Sequence, residues 1–301
     1  MASARGPVLR LGIGLALVAL GWGLSLAGVE PARRYWFQLV WPGYILVADG
    51  VVLARTGTSL LSSNLRRVAG MAALSAAFWW LYELVNWHLR NWSYVGGEVL
   101  PRSLGLVLET VAFATVLPAL AESRDLLRSF VRLPDPPALR LPGERWAAAW
   151  MVVAGLAGAG LLWRFPEQSF PLVWVVPLLI LDGVAALRAR PSALSLVRAG
   201  RAGPVLLVAL AGLATGVLWE LWNAGALPRW SYRVPYVGFA KVFEMPLLGY
   251  LGYLPFALVA DAAWRTVSGG WGGLADAPVT GLGPAGGGHE RRRDRAYRGC
   301  E

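Results

Sequence analysis

FWWLYELVNWHLRNWSYVGG, residues 78–97, and VLWELWNAGALPRWSYRVPYVG, residues 217–238, are two versions of one design. Each carries an apolar run into Glu-x-x-Asn, leaves it through a short basic segment and arrives at Trp-Ser-Tyr. Glu83 and Asn86 correspond to Glu220 and Asn223 at a separation of 137 residues, and Trp92, Ser93 and Tyr94 to Trp230, Ser231 and Tyr232 at 138. A single inserted residue accounts for the difference. Upstream, at a separation of 133, Trp41, Asp49, Gly50, Arg55 and Ser59 fall on Trp174, Asp182, Gly183, Arg188 and Ser192. Downstream, once gaps are allowed, Glu109 and Pro118 answer to Glu244 and Pro255. A unit this long is no solenoid repeat; it predicts a duplicated membrane domain.

Composition leads to the same class. The chain is 56% hydrophobic and 15% charged, whereas about a quarter of a soluble domain is charged. Its apolar residues come in runs of about 20, the length that crosses a ~30 Å hydrocarbon core. The expected fold is an all-α integral membrane protein of about eight transmembrane helices, arranged as two tandem parallel four-helix repeats. Residues 1–130 form the first repeat, with spans near Val8–Gly28, Tyr35–Arg55, Val68–Trp87 and Leu104–Ala121. The Pro- and charge-rich segment 131–145 is a cytoplasmic linker. Residues 146–267 form the second repeat, with spans near Trp146–Phe165, Phe170–Arg188, Gly203–Asn223 and Phe239–Ala260. The first span follows two arginines and ends in small residues, as a signal peptide does, but it holds the place that Trp146–Phe165 holds in the second repeat, so it is expected to be retained. The last span contains Pro246 and Pro255, and proline frees a backbone carbonyl that must find another donor in lipid, so a kinked or partly unwound helix is expected there. Residues 268–301, Gly-rich and then basic, read as a disordered cytoplasmic tail.

With eight spans, both termini lie on one side. About 20 of the 28 Lys and Arg residues fall on that side, which by the positive-inside rule is the cytoplasm of a cell-membrane protein. The net charge of +10 follows from that bias, and no nucleic-acid partner is expected. One cysteine, Cys300, excludes an internal disulfide and thiolate metal sites. The two histidines, His88 and His289, lack the spacing of a zinc or haem site. No metal and no cofactor is expected.

The ionisable residues inside the apolar runs carry the chemistry. Glu83 and Asn86 share a helix face near the non-cytoplasmic end, and Glu109 lies early in the span that returns from that end; Glu220, Asn223 and Glu244 repeat the arrangement. Four carboxylates facing lipid would each cost roughly 2.5–3.5 kcal/mol near the bilayer centre, so they are expected to gather in the bundle interior. A buried carboxyl is a general-acid candidate, with Asn86 and Asn223 orienting the acids. Trp80, Tyr82, Trp219 and Trp222 lie within a turn of them and offer ring faces that stabilise cations. The same residues also suit two other roles: hydrogen bonds that lock helices together, and a polar site in a transport pathway between parallel halves. Asp49 and Asp182 sit six residues before Arg55 and Arg188, too far round a helix to pair with them, and cross-helix bonds are expected.

LWELWNAGALPRWSY (218–232) followed by KVFEMPLLGYLGYLPFA (241–257) resembles the helical membrane domain of heterodimeric and fused lycopene cyclases. That family has Trp-Asp at a helix end, a short loop to Trp-x-Tyr or Trp-x-Phe, and Pro-x-Glu-Glu opening the next helix. Trp219-Glu220, Trp230 and Tyr232 match. Glu244-Met-Pro246 reverses the order and has one acid fewer, while the first copy has Tyr82-Glu83 in place of Trp-Asp and no proline beside Glu109. The chain is also similar to bacterial carotenoid-biosynthesis membrane proteins that hydrate polyene ends. The resemblance implies redox-neutral, acid-initiated cyclisation or hydration of an isoprenoid substrate drawn from the membrane lipids, with Glu83, Glu109, Glu220 and Glu244 as the acids.

Overall fold

The computed structural model describes residues 5–29, 33–63, 65–96, 101–135 and 143–269. Part of the linker and nearly all of the basic tail lie outside the described residues. In chain order the elements are α1 (Arg5–Leu26), α2 (Trp36–Thr56), α3 (Leu60–Ser63), α4 (Leu65–Leu89), β1 (Trp92–Val95), α5 (Arg102–Phe113), α6 (Val116–Phe130), α7 (Glu144–Arg164) and α8 (Pro166–Ser169). A 3-10 turn at Phe170–Trp174 then leads to α9 (Val176–Leu187), α10 (Ala193–Arg198), α11 (Ala202–Gly225), β2 (Arg229–Tyr232), β3 (Lys241–Val242) and β4 (Met245–Pro246). A second 3-10 turn, Leu247–Gly252, opens α12 (Tyr253–Val267).

The protein is a mostly helical, multi-pass membrane protein. Seven helical stretches are long and apolar enough to cross a bilayer, and the bent pair Pro166–Trp174 and Val176–Leu187, angled at 45°, makes an eighth if it is one span. α1 and α7 are among the least buried of these, with tryptophans and leucines such as Trp146, Trp163 and Leu15 left exposed. Each of the two lies against the next span along a seam of small residues. A Cβ added to Gly43 would come within 2.9 Å of the Gly14 carbonyl oxygen, and one added to Gly183 within 2.9 Å of the Ala148 carbonyl oxygen. Without a hydrophobic force between helices in lipid, such close backbone approach supplies the packing.

Inside, a few short polar side chains join the spans. The Tyr44 and Ser123 hydroxyls are 2.6 Å apart, and Thr215 donates to Ser123 at 2.8 Å, which ties α2, α6 and α11 together. Ser75 of α4 explains the break between α5 and α6. Its Oγ accepts from the Leu117 amide at 3.0 Å and donates to the Phe113 carbonyl at 2.5 Å, so the side chain inserts into the helical ladder one residue before Pro118. A side chain in the ladder is a recognised cause of a bend.

At the end of the bundle opposite the strands, Asp49 and Asp182 do the same job. Asp49 accepts from the Leu61 amide at 2.8 Å, and Asp182 from the Ala193 and Leu194 amides at 2.8 and 2.9 Å, so each caps the short helix that follows its span. Ser59 with Ser62, and Ser192 with Ser195, add reciprocal serine caps. The cations come from elsewhere in the chain, as expected for cross-helix bonds: Arg10 pairs with Asp49, and Arg265 of α12 reaches Asp182 at 3.0 Å and Asp261 at 2.8 Å. Arg55 instead donates to the Ser129 carbonyl and lies over the Phe130 ring.

The last span differs from its expected limits. Residues 241–246 form a two-stranded hairpin and the crossing stretch begins at Leu247. The unwinding expected around its prolines takes the form of the 3-10 turn before Tyr253.

Arg265 is 4% exposed and neutralises two carboxylates that are equally buried. Breaking a buried pair from one side costs about 3–5 kcal/mol. Arg265→Met is therefore expected to lower stability by that order in a detergent unfolding titration. Arg198→Met, at a half-exposed pair 3.9 Å apart, is expected to shift it by less than ~1 kcal/mol.

Candidate functional site

At the strand end, the two Trp-Ser-Tyr segments pair with each other. β1 and β2 run antiparallel with Ser93 opposite Ser231, Trp92 opposite Tyr232 and Tyr94 opposite Trp230. What holds each strand in place is the asparagine of Glu-x-x-Asn. Asn86 accepts from the Asn91 and Trp92 amides at 2.8 and 3.2 Å and donates to the Trp92 carbonyl at 2.9 Å. Asn223 accepts from the Trp230 amide at 2.9 Å and donates to the Trp230 carbonyl at 2.8 Å. A side-chain amide thus takes the place of a neighbouring strand. Both amides are buried and occupied by backbone, so Asn86 and Asn223 position the loops and do not touch the acids, contrary to the sequence expectation.

The strands deliver their tyrosines to the glutamates one turn earlier on the helices. Glu83 accepts from the Tyr94 hydroxyl at 2.5 Å and from the Trp92 and Trp79 indoles at 3.0 and 3.2 Å. Glu220, fully buried, accepts from Tyr232 at 2.9 Å and from Tyr253 of α12 at 2.7 Å. Trp230 stands beside the same carboxyl with its indole N–H out of hydrogen-bonding geometry. Tyr94 is 36% accessible overall, yet its hydroxyl is turned inward. Desolvation first, and then the Glu83 carboxylate, push its phenol well above the ordinary range. Burial and then Glu220 do the same to Tyr232.

The other two acids part company. Glu109 is half-buried on α5 and forms part of the wall of a chamber of about 160 Å³. Glu244 lies in the turn between β3 and β4, outside the spans, where Arg229 and Lys241 approach it at 3.9 and 4.0 Å and Ser231 at 3.5 Å. The single intramembrane layer of four acids expected from the sequence is thus not formed: Glu83 and Glu220 lie behind the chamber's tyrosines, Glu109 opens onto it, and Glu244 is outside the helices, beyond the lining. Glu83 remains within electrostatic reach of Glu109, and Glu244 of Glu220.

The chamber is walled by indoles from both halves: Trp41, Trp79 and Trp92 from the first, Trp174, Trp219 and Trp230 from the second. Trp79 and Trp219 face each other at 5.2 Å, Trp41 meets Trp219 edge-on at 5.6 Å, and Trp92 stacks with Trp174 at 6.2 Å. Gln38, Arg33 and Arg34 supply polar lining alongside Glu109. Of the aromatic residues expected at the site, Trp219 is in the wall. Trp222 packs instead between Trp22 and Trp41. Trp80 lies on the α4–α5 seam and donates to Thr110 at 3.1 Å. Tyr82 is one layer back, stacked on Trp174 at 5.3 Å. Trp41, Trp174 and Tyr253 line the chamber without belonging to the expected set. The first two carry a signal, their correspondence at a separation of 133; Tyr253 carries none, because its role depends on where α12 packs. Among the described residues, no group of three or more His, Cys, Asp or Glu is placed to hold a metal ion.

Asn223→Ala would leave the Trp230 amide and carbonyl unpaired, at about 1–3 kcal/mol each, and free β2. Trypsin acting on proteoliposomes is then expected to cut faster at Arg229 and Arg233 than in the unsubstituted chain. The raised tyrosines favour the neutral phenol in the folded state. Their contribution to stability is complete below about pH 10, where an unfolded tyrosine titrates, and is lost as the pH rises above it. A spectrophotometric titration is expected to show late-ionising phenols, two fewer of them in Tyr94→Phe/Tyr232→Phe. Compared with family models, curated proteins and solved structures, the chain finds no match in any of the three.

Proposed function

We propose that the protein is a duplicated membrane enzyme that carries out acid-initiated, redox-neutral cyclisation or hydration of a carotenoid or other isoprenoid lipid. Its two four-helix halves are related by an axis along the membrane normal through the Ser93–Ser231 pair. The self-pairing of Trp-Ser-Tyr supports this symmetry, as do the matched asparagine clamps and the matched aspartate caps. The charge bias of the loops supports a cell-membrane location with both termini in the cytoplasm.

One observation carries the chemistry: among the described residues Glu109 is the one carboxyl lining a chamber that it shares with six indoles, with Arg33, Arg34, Gln38 and Asn91 as further polar groups. In this reading Glu109 protonates a terminal C=C of the bound polyene. The π pair forms the new C–H bond and leaves a cation on the neighbouring carbon, which the indole faces stabilise. A second double bond attacks it and closes a ring, or water adds. A proton then leaves and returns to the Glu109 carboxylate, so no oxidant or reductant is consumed. Glu83 and Glu220 are positioning residues that fix Tyr94, Tyr232 and Tyr253 in the chamber wall. The break at Val175 favours a second reading, a permeation pathway with this span as its moving part; however, it also sets Trp174 in the wall, a task that needs no movement.

Expression in cells that accumulate an acyclic polyene is expected to yield cyclic or hydroxylated pigment by chromatography. Glu109→Gln is expected to lower conversion by about 10²–10⁴, the usual contribution of a general acid, while Glu244→Gln changes little. Unchanged pigment with well-folded, membrane-inserted protein overturns the reading.

A further inference from the structure

The halves do not meet alike on their two sides. On one side α11 packs along α6, sealed by the Thr215–Ser123 hydrogen bond. On the other side, α4 and α12 touch where Phe78 and Tyr82 meet Phe256 at 5.9 Å. Beside that contact lies a cleft of about 1190 Å³ bounded by α4, α7, α9 and α12. It runs along α4 from Leu74 to Arg90, about 24 Å at the helical rise, with apolar walls such as Val85, Leu162, Leu181 and Val259. Its rim residues Leu84, Trp87 and Trp163 are 64%, 81% and 73% exposed, so it opens sideways to where lipid tails lie. Its strand end is polar, formed by His88, Arg90, Glu167 and Arg233.

That end is built, and it is cationic. The Arg233 amide donates to the Asn91 carbonyl at 2.7 Å, which fixes its backbone beside Arg90. Its guanidinium is 3.5 Å from Glu167, with both side chains mostly exposed. Arg90 follows the last residue of α4 at φ 55°, in the left-handed region, where glycine is the unstrained choice. His88 stacks on Trp163 at 4.3 Å and closes the side of the mouth. Two guanidiniums against one carboxylate therefore line the polar end of a long apolar cleft.

We propose that this cleft binds an anionic glycerophospholipid, with its phosphate on Arg90 and Arg233 and an acyl chain running between α4 and α12. Charge complementarity selects the headgroup, since arginine pairs with phosphate in two-pronged, charge-assisted hydrogen bonds. Apolar walls that open sideways between the spans select the chain. The cleft shares only Asn91 with the chamber lining and does not depend on the chamber's chemistry.

The test uses the full chain purified in mild detergent, with native mass spectrometry and thermal unfolding in the presence of added phosphatidylglycerol, phosphatidylcholine or a polyprenyl phosphate. The expected result is a one-to-one phosphatidylglycerol adduct and a higher midpoint, with little effect of phosphatidylcholine. Loss of each arginine, in Arg90→Gln and Arg233→Gln, is expected to weaken retention about tenfold. Ala77→Phe, which fills the cleft and leaves both arginines in place, is expected to abolish the adduct, and Glu109→Gln to leave it intact. Equal retention of the two phospholipids, retention unchanged in the arginine variants, or preference for the polyprenyl phosphate overturns the proposal.

Discussion

A carboxyl group placed among apolar helices must be given its hydrogen-bond donors by the chain, and the strand end of this protein is arranged around that requirement. Glu83 receives three donors and Glu220 two, all from phenols and indoles. Tyrosine and tryptophan suit the task because each brings one donor on a large apolar body. They reach the acids because Asn86 and Asn223 hold the following strand against the helix end. The sequence Glu-x-x-Asn followed by Trp-Ser-Tyr is therefore one mechanical unit: the amide fixes the backbone, the backbone aims the tyrosine, and the tyrosine satisfies the acid.

Each unit is completed by the other half. The β1–β2 ladder brings the two units side by side, and the space left between them is the aromatic chamber. The opposite end uses different chemistry for a comparable purpose. There Asp49 and Asp182 gather amides and arginines, with full charges in place of phenols. Between the two ends, glycine seams and a few hydroxyls hold the spans together, as expected where lipid offers no hydrophobic force between helices.

Much of this was legible in the residues. Run length and low charge predict the helices, and the correspondence of Glu83 with Glu220 and of Trp41 with Trp174 points to the parts that meet. What the sequence could not convey is how each polar group is used. Asn86 reads as a partner for Glu83 because the two share a helix face, yet its amide turns to the loop, where three backbone groups need it. Glu244 reads as intramembrane because apolar residues flank it, but the chain there folds into a hairpin that pairs it with Arg229 and Lys241. Glu122 falls just past the expected end of its span at Ala121, yet it is fully buried against Asp49. Its place depends on how α2 and α6 cross, which no local pattern encodes.

The ladder between Ser93 and Ser231 also has a consequence for synthesis. Its strands are separated by more than a hundred residues and four further apolar stretches, the bent pair counted as one, so while the first four helices are being threaded into the bilayer, Trp-Ser-Tyr has no mate. Tyr94 can still cover Glu83, since both belong to the early half, but the open edge of β1 must wait in the water layer until α11 has been inserted. The chamber is therefore among the last things the ribosome's product acquires, and a chain that stops short of α11 leaves that edge bare.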